Sequence, residues 1–395
     1  MSSSLTSIYD NIAYALQLHG KAITKLQEQA SSGNRVNRAS DSPSDAYRII
    51  GLNSQDRSLA SYLGRVTELM DSMEMSSSLL SDMASDLADA RTVVTQIVGG
   101  IYDAEGQKQV ANRLNNTLEQ LVSLANTKEG NQYLFGGTDT DAAPYRVVRE
   151  GGKITQVIYE GSHEARSINV APGLEVETFH VGDDIFRSDD RGDPVFLGET
   201  GAKAGTGTSN VRGDVWLTVD HDGTNYRLSI DDGATFVTVP AGGQTNQAVT
   251  DSRTGRVLYV DTTGINSTGV EMVRVPGTYD IFGTLISLRD ALINERGVPR
   301  SELLDFIDRG AAAIEEVRNL VVQTNTSTGS KIAFLNTLKN HLEDTQFNVT
   351  DETTRLQQAD VAQIAIDLSR REILYQMSLS VAGKLLSTSL LDFVQ

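Results

Sequence analysis

Cysteine is absent from the 395-residue sequence, and proline occurs only seven times. Without cysteine there are no disulfides, thiolate metal sites, iron–sulfur clusters or thiol nucleophile. Basic runs are also missing. Acids outnumber bases by 52 to 34, a formal charge of −18, so the phosphate contacts that nucleic acid needs are not on offer. No apolar stretch approaches the ~18 residues that span a bilayer, and no membrane insertion is expected. Met1 to Ser7 have neither a basic segment nor an apolar core, so no cleaved secretory signal is read there. Aromatic residues reach only 6%, which is thin for one large globular core.

Glycine divides the chain. Between positions 131 and 283 lie 22 of the 34 glycines, 5 of the 7 prolines and more than half of the aromatics. That centre favours short strands, and the flanks favour helix. In the first flank an apolar residue recurs every seventh position: Leu52, Leu59, Val66, Met73, Leu80, Leu87, Val94 and Ile101. A second track, Ile49, Leu63, Met70, Ala84 and Val98, is broken by Asp56, Ser77 and Arg91. Such stripes predict a long coiled-coil-like helix, roughly 85 Å from Ser44 to Ile101. Ser42 as N-cap and Pro43 in the first turn mark its start. The second flank keeps the same frame at Ile307, Ile314, Val321, Leu335, Leu342, Val349 and Leu356, with Thr328 as the polar entry.

Both ends carry narrow apolar stripes. One runs through Leu5, Ile12, Leu16, Ile23 and Leu26, with His19 in the seam; the other runs through Val361, Leu368, Tyr375, Leu379 and Leu386. Helices of this kind need a partner surface. A closed intramolecular bundle and pairing between subunits both satisfy the pattern. In the centre, Val215 to Asp220, Tyr226 to Asp231 and Phe236 to Val239 alternate around Asp222-Gly223 and Asp232-Gly233, a hairpin signal. The expected fold is mainly α with an inserted all-β domain, hairpin-rich, at the tip of a helical rod built from both chain ends. Its segments are an assembly helix over 1–43, rod halves over 44–130 and 284–360, the β insert over 131–283 and a second assembly helix over 361–395.

Chemistry is sparse. His163-Glu164 begins like a zincin helix, but Ser167 stands where the second zinc ligand belongs. Asp220, Asp222 and Gly223 fit a turn better than a calcium loop, since the full register is missing. Two Arg-Gly-Asp triplets sit in a Gly- and Asp-rich segment, and Trp216 lies in a strand pattern that reads as core. No catalytic, cofactor or metal residues are assigned, and no enzyme is expected.

Gln29 to Ala46, QASSGNRVNRASDSPSDA, resembles the N-terminal signature of the flagellin superfamily, through Gly33, Arg35, Asn37, Asp41 and Pro43. Asn131 to Tyr145, NQYLFGGTDTDAAPY, is similar to the segment with which hook-filament junction members of that superfamily leave their helical part. Its matching positions are Tyr133, Phe135, Gly137, Thr138 and Pro144. Ile373 to Val394 looks like the C-terminal helix of the same branch. Ser42 replaces a common Asp, and Pro43 favours the junction branch over the filament branch. The likeness covers both flanks and stops at Tyr145.

The resemblance implies a structural, extracellular part of the bacterial flagellum, linking hook to filament by helix packing between subunits. Export would use the flagellar type III system without a cleaved signal. The chain ends would be disordered in the monomer and fold on incorporation into a ring. Neighbours would be another hook-associated junction protein and flagellin, and an export chaperone would cover the C-terminal helix. The ten apolar stripe residues of the two ends are the expected subunit interface. Flagellin itself is the nearest rival function; a surface adhesin or glycan-binding protein with a helical stalk is the rival of another class.

Overall fold

The computed structural model describes residues 2–100, 103–179 and 181–394, with side chains over 10–100, 103–177 and 181–384. Ile101, at the end of the first stripe, and His180 lie outside the described residues. Three helices come first: α1 (Ser2–Ser32), α2 (Pro43–Gly99) and α3 (Ala104–Ala125). The strands β1 (Lys128–Glu129), β2 (Gln132–Tyr133), β3 (Tyr145–Glu150), β4 (Lys153–Tyr159), β5 (Arg166–Ala171) and β6 (Leu174–Phe179) follow. After the short α4 (Gly182–Phe186) come β7 (Val195–Leu197), β8 (Lys203–Ala204), β9 (Gly213–His221) and β10 (Tyr226–Ser229). Next are β11 (Val237–Thr238), β12 (Gln247–Thr250), β13 (Val257–Asp261) and β14 (Gly269–Val275). Helices α5 (Ile281–Ile293), α6 (Arg300–Gln357) and α7 (Val361–Val394) close the chain. The expected class holds: mainly α, with the described strands gathered between Lys128 and Val275, the first of them just ahead of the expected insert. The chain divides into two compact units, Met1–Arg65 with Thr337–Gln395, and Val66–Asn336.

In the second unit the heptad stripe is the core. Leu80, Leu87 and Val94 of α2 pack with Ile307, Ile314 and Val321 of α6, Leu114 and Leu121 of α3, and Leu285 and Leu288 of α5. The track that accompanies the stripe differs from expectation. From Val66 to Val94, Leu69, Ser76, Met83, Ala90 and Ile97, three residues after each stripe position, are the buried ones. In this unit the +4 track is only partly covered, Met70, Ser77, Ala84 and Val98 being half-buried and Arg91 exposed. Its polar breaks meet polar groups of α6. The Ser77 hydroxyl donates to Asn325 Oδ1 at 2.6 Å, and Arg91 lies 3.6 Å from Glu315. In the first unit Gln346 Nε2 donates to Asp56 Oδ1 at 3.0 Å. Within the second unit 77 meets 325 and 91 meets 315, and within the first 48 meets 352 and 56 meets 346, so in each unit the two helices run antiparallel. Thr328 is fully buried, its hydroxyl donating to Thr324 O at 2.9 Å, which is how a polar residue fits the stripe.

The 284–360 segment is not one helix. Asp280 caps α5 by accepting from Phe282 N and Gly283 N, and Asn294 ends it in the left-handed region at φ 50°. The heptad frame of α6 starts only after this break.

The β insert holds a five-stranded sheet ordered β11-β10-β9-β14-β7, a three-stranded sheet ordered β12-β13-β8, and the hairpins β3-β4 and β5-β6. Both Asp-Gly signals are hairpin turns. In the longer loop between β10 and β11, Asp232 and Gly233 both have positive φ, 56° and 82°, at the centre of a tight turn that Ala234 N–H closes by donating to Asp231 O at 3.2 Å. Leu217, Val219, Leu228, Val249, Leu258, Val260 and Val273 join the two larger sheets in a second apolar core.

One ion pair is buried between β9 and β14: Arg274 Nε and Asp214 Oδ1 are 2.8 Å apart, with a second bond of 3.0 Å from Nη2. Burial works against the Arg274 charge, and the bidentate Asp214 carboxylate outweighs it, holding the guanidinium above its ordinary value. Asp214→Ala leaves that cation alone and is expected to cost about 3–5 kcal/mol. In urea unfolding a loss below about 1 kcal/mol would refute the pair's importance, and adding Arg274→Met should recover part of the loss.

Candidate assembly interface

In the first unit α1 and α7 pack side by side. They run antiparallel, since Ala359 N donates to Gly33 O at 3.0 Å where α1 ends and α7 begins, and Arg371 Nη1 reaches His19 Nδ1 at 3.4 Å further along. Of the ten expected interface residues, Leu5 and Leu386 have side chains outside the described ones. Ile12, Leu16, Ile23, Leu26, Leu368 and Tyr375 are half-buried, and Val361 and Leu379 are exposed, the latter by 46%. A further stripe was missed. Ile366, Ile373, Met377 and Val381 recur at steps of seven, four and four, which places them on one face of α7, and all are exposed. Tyr14 and Leu18 are exposed on α1, as are Tyr47, Ile50 and Phe347 on the part of α2 and α6 in this unit. The step pattern was readable, but the other stripe of α7 is longer and drew the assignment.

The first motif segment is a joint. Gly33 at φ 70° ends α1, its N–H donating to Gln29 O at 2.9 Å. Arg35 N–H donates to Gln357 O at 2.6 Å, and its Nη2 to Asp45 Oδ2 at 2.8 Å and Leu356 O at 3.1 Å. One Asp41 oxygen accepts from Asn37 N and Arg38 N, and the other lies 3.0 Å from Lys25 Nζ. Asn37 Nδ2 donates to Asn34 O at 3.3 Å. Pro43 opens α2 as expected, although the Ser42 hydroxyl donates to Asp45 Oδ2 rather than accepting from the helix. The motif thus satisfies the backbone groups that α1 and α6 leave open at their ends.

The second motif folds a turn under the β insert. Tyr133 N–H donates to Thr140 O at 2.9 Å, and Phe135 is buried edge-on to Phe186, centroids 5.3 Å apart. Gly137 has φ 63°, and a Cβ there would meet Ser162 O at 2.5 Å. Thr138 holds Glu164 O through its N–H at 2.9 Å and donates its hydroxyl to Ser162 Oγ at 2.6 Å; Pro144 O accepts from Glu160 N at 2.8 Å. Tyr145, clasped by both amide atoms of Asn126, packs on Phe282 with centroids 4.9 Å apart.

The remaining candidates are structural. Asp222 accepts from Thr224 N and Asn225 N in its turn. Of the Arg-Gly-Asp triplets, one has its Asp in the buried pair with Arg274, and Arg191 of the other donates to Val211 O. His163 lies edge-on to Tyr159. Trp216 is half-buried rather than core, packing on Phe306 with Arg296 over its ring at 4.9 Å.

Residues 7–140 match the family described as the bacterial flagellin N-terminal helical region. The chain is similar to flagellar hook-associated protein 3 of Escherichia coli (strain K12), 28% identical over 165 residues, covering 42% of this chain and 50% of the relative. It is also similar to flagellin of Listeria innocua, 26% identical over 173 residues, covering 42% and 56%. The chain thus spans about half the length of the curated relatives it matches. The solved structure of flagellar hook-associated protein-3 from Legionella pneumophila shares the fold with a TM-score of 0.53, at 16% identity, covering 78% of this chain and 98% of that one.

The joint has a testable acid response. A hydrogen bond from Lys25 and then that from Arg38 N hold the Asp41 carboxyl below its usual 3.8; for Asp45 the bonds from Ser42 and Arg35 do the same. A lowered folded pKa lends stability that is complete above the usual value and lost as pH falls through the lowered one. The protection of the Arg35 and Ala359 amides, with exchange corrected for its intrinsic pH dependence, should therefore hold down to about pH 4 and fall below it. Asp41→Asn should lower the protection at neutral pH. Unchanged protection in that variant would mean the carboxylate does not hold the joint.

Proposed function

We propose that this chain, which belongs to the flagellin superfamily, is a structural component of the bacterial flagellum that links hook to filament by packing helices between subunits. The observation that carries the proposal is the antiparallel pair of chain-end helices, whose α7 keeps Ile366, Ile373, Met377 and Val381 uncovered beside the half-buried stripe. Apolar faces repeated along a helix are what a second copy of the same helix can cover.

In this reading residues 1–43 and 361–395 form the inner assembly layer and order fully only on incorporation, when partner surface offsets the loss of chain entropy. Leu5, Ile12, Leu16, Ile23, Leu26, Val361, Leu368, Tyr375, Leu379 and Leu386 are its subunit contacts, joined by the second α7 stripe. Copies form a ring between a hook-associated neighbour and flagellin. The chain leaves the cell through the flagellar type III apparatus and works outside it, without catalysis or cofactor. An export chaperone covers the C-terminal helix until then. Likeness to hook-associated protein 3, and Pro43 opening α2, support the junction over the filament role.

A fluorescently tagged chain should mark only the distal end of the hook, whereas labelling along the whole filament would identify a filament subunit. Leu379→Asp and Leu16→Asp should abolish incorporation while circular dichroism stays near that of the parent chain. Joining of hook to filament by either variant would remove these stripes from the interface. A chain truncated after Asp360 should lose chaperone affinity by at least about tenfold; full retention would place the chaperone elsewhere.

A further inference from the structure

Between residues 131 and 283 acids outnumber bases by 22 to 12, yet one open cleft in the β insert gathers guanidinium groups. It has a volume of 520 Å³ and is lined by Arg187, Arg212, Arg253, Arg256, Arg296 and Trp216, among others. The acids along it are already engaged, apart from the exposed Glu150. Asp214 binds Arg274, and Asp231 accepts from the Ser252 and Thr235 hydroxyls at 2.6 Å each. Asp232 pairs with Arg296 and Arg253, and Asp290 with Arg289. Asp251 closes its own turn through Thr254, and Asp280 caps α5.

Three arginines are likewise held: Arg187 by Asp183, and Arg253 and Arg296 by Asp232. Arg212 and Arg256 differ. Both are half-buried, and among the described residues neither side chain has a hydrogen bond or an ion pair. Burial, then the charges of Arg212 and Arg187, press the Arg256 guanidinium below its ordinary value, against a smaller opposite pull from the carboxylates of Asp280 and Asp251. A cation withdrawn from water and set beside others of its sign is costly unless an anion answers it. Planar guanidinium forks are well suited to carboxylate, phosphate or sulfate oxygens. Trp216 is wall rather than free platform, since Phe306 and Arg296 already pack on its ring, so charge is the recognising element.

We propose that this cleft binds an oxyanion group between Arg212 and Arg256, carried either by a small free ion or by an acidic saccharide. The proposal is independent of the assembly role. Calorimetric titration of the full chain with sodium sulfate and with a sulfated disaccharide, against the unsulfated disaccharide as control, tests it. Saturable binding that weakens with added sodium chloride is expected for the sulfated probes. Arg212→Gln with Arg256→Gln should weaken it by at least about tenfold.

The same double variant without ligand should melt at the parent temperature or above, because repulsion between the two cations is relieved. A lowered melting temperature accompanying the loss of binding would make the pair structural and overturn the proposal. So would unchanged binding in the variant, or no saturable binding of either sulfated probe up to about 10 mM. Preference for the sulfated disaccharide over sulfate by more than about tenfold identifies a saccharide as the source, and equal affinity identifies the free ion.

Discussion

A helix of 57 residues keeps its form in water only while the stripe along one side of it is covered, because most helical stability in proteins comes from packing. For α2 the cover comes from α6, and the degree of cover differs between the two units. In the second unit Leu80, Leu87, Val94, Ile307, Ile314 and Val321 are wholly buried, since α3 and α5 join the pair. In the first unit Leu59, Leu342 and Val349 retain 6–9% exposure, and Ile50 and Phe347 stand in solvent. Two helices alone cannot enclose both sides of a seam. The residues left over are large and apolar, and burying each would be worth about 1.5–3 kcal/mol. A surface of that kind has most to gain from further helices.

What keeps the first unit's helices in place is of a different nature. The joint around Gly33 to Asp45 is almost entirely backbone chemistry: carbonyls of Gln29, Leu356 and Gln357 and the amides of Arg35, Asn37, Arg38 and Ala359 are answered one by one. Such groups are obligatory donors and acceptors at helix ends. This explains why the motif is polar and specific in position. Arg35 is the residue that does most, tying the end of α6 to the start of α2 with one side chain. A lysine would reach one of those acceptors but has no planar fork for two.

Much of this was legible in the letters. The seventh-position stripe appears in the buried residues almost without exception, and the Asp-Gly turns fell where alternation broke. Three things were not. The second buried track of the second unit includes Ser76 and Ala90, whose small or polar side chains give it no apolar signal beside Met70, Ala84 and Val98. The break at Asn294 is invisible to heptad counting, since the seventh-position frame begins only at Ile307, beyond it. Arg212 and Arg256 lie forty-four positions apart, and only the fold brings them into one cleft; the Arg-Gly-Asp triplet that holds Arg212 does not point to Arg256.

The two units leave different kinds of demand unmet. On α7 the uncovered groups are apolar, non-directional and spread along a helix face, so what they favour is area, and a copy of the same helix supplies it. In the β insert the demand comes from two guanidiniums at fixed positions, without a hydrogen bond or ion pair among the described residues, and area cannot satisfy them. A partner there needs one correctly placed oxyanion and little else. The −18 charge of the chain sharpens the contrast. Most anionic solutes are repelled by such a molecule at long range, so a cleft whose acids, the exposed Glu150 apart, are internally engaged is the place where a short-range contact can still win. That locality follows from screening: beyond about 8–10 Å at moderate ionic strength, the surrounding acids lose much of their influence over what happens between the two guanidinium groups.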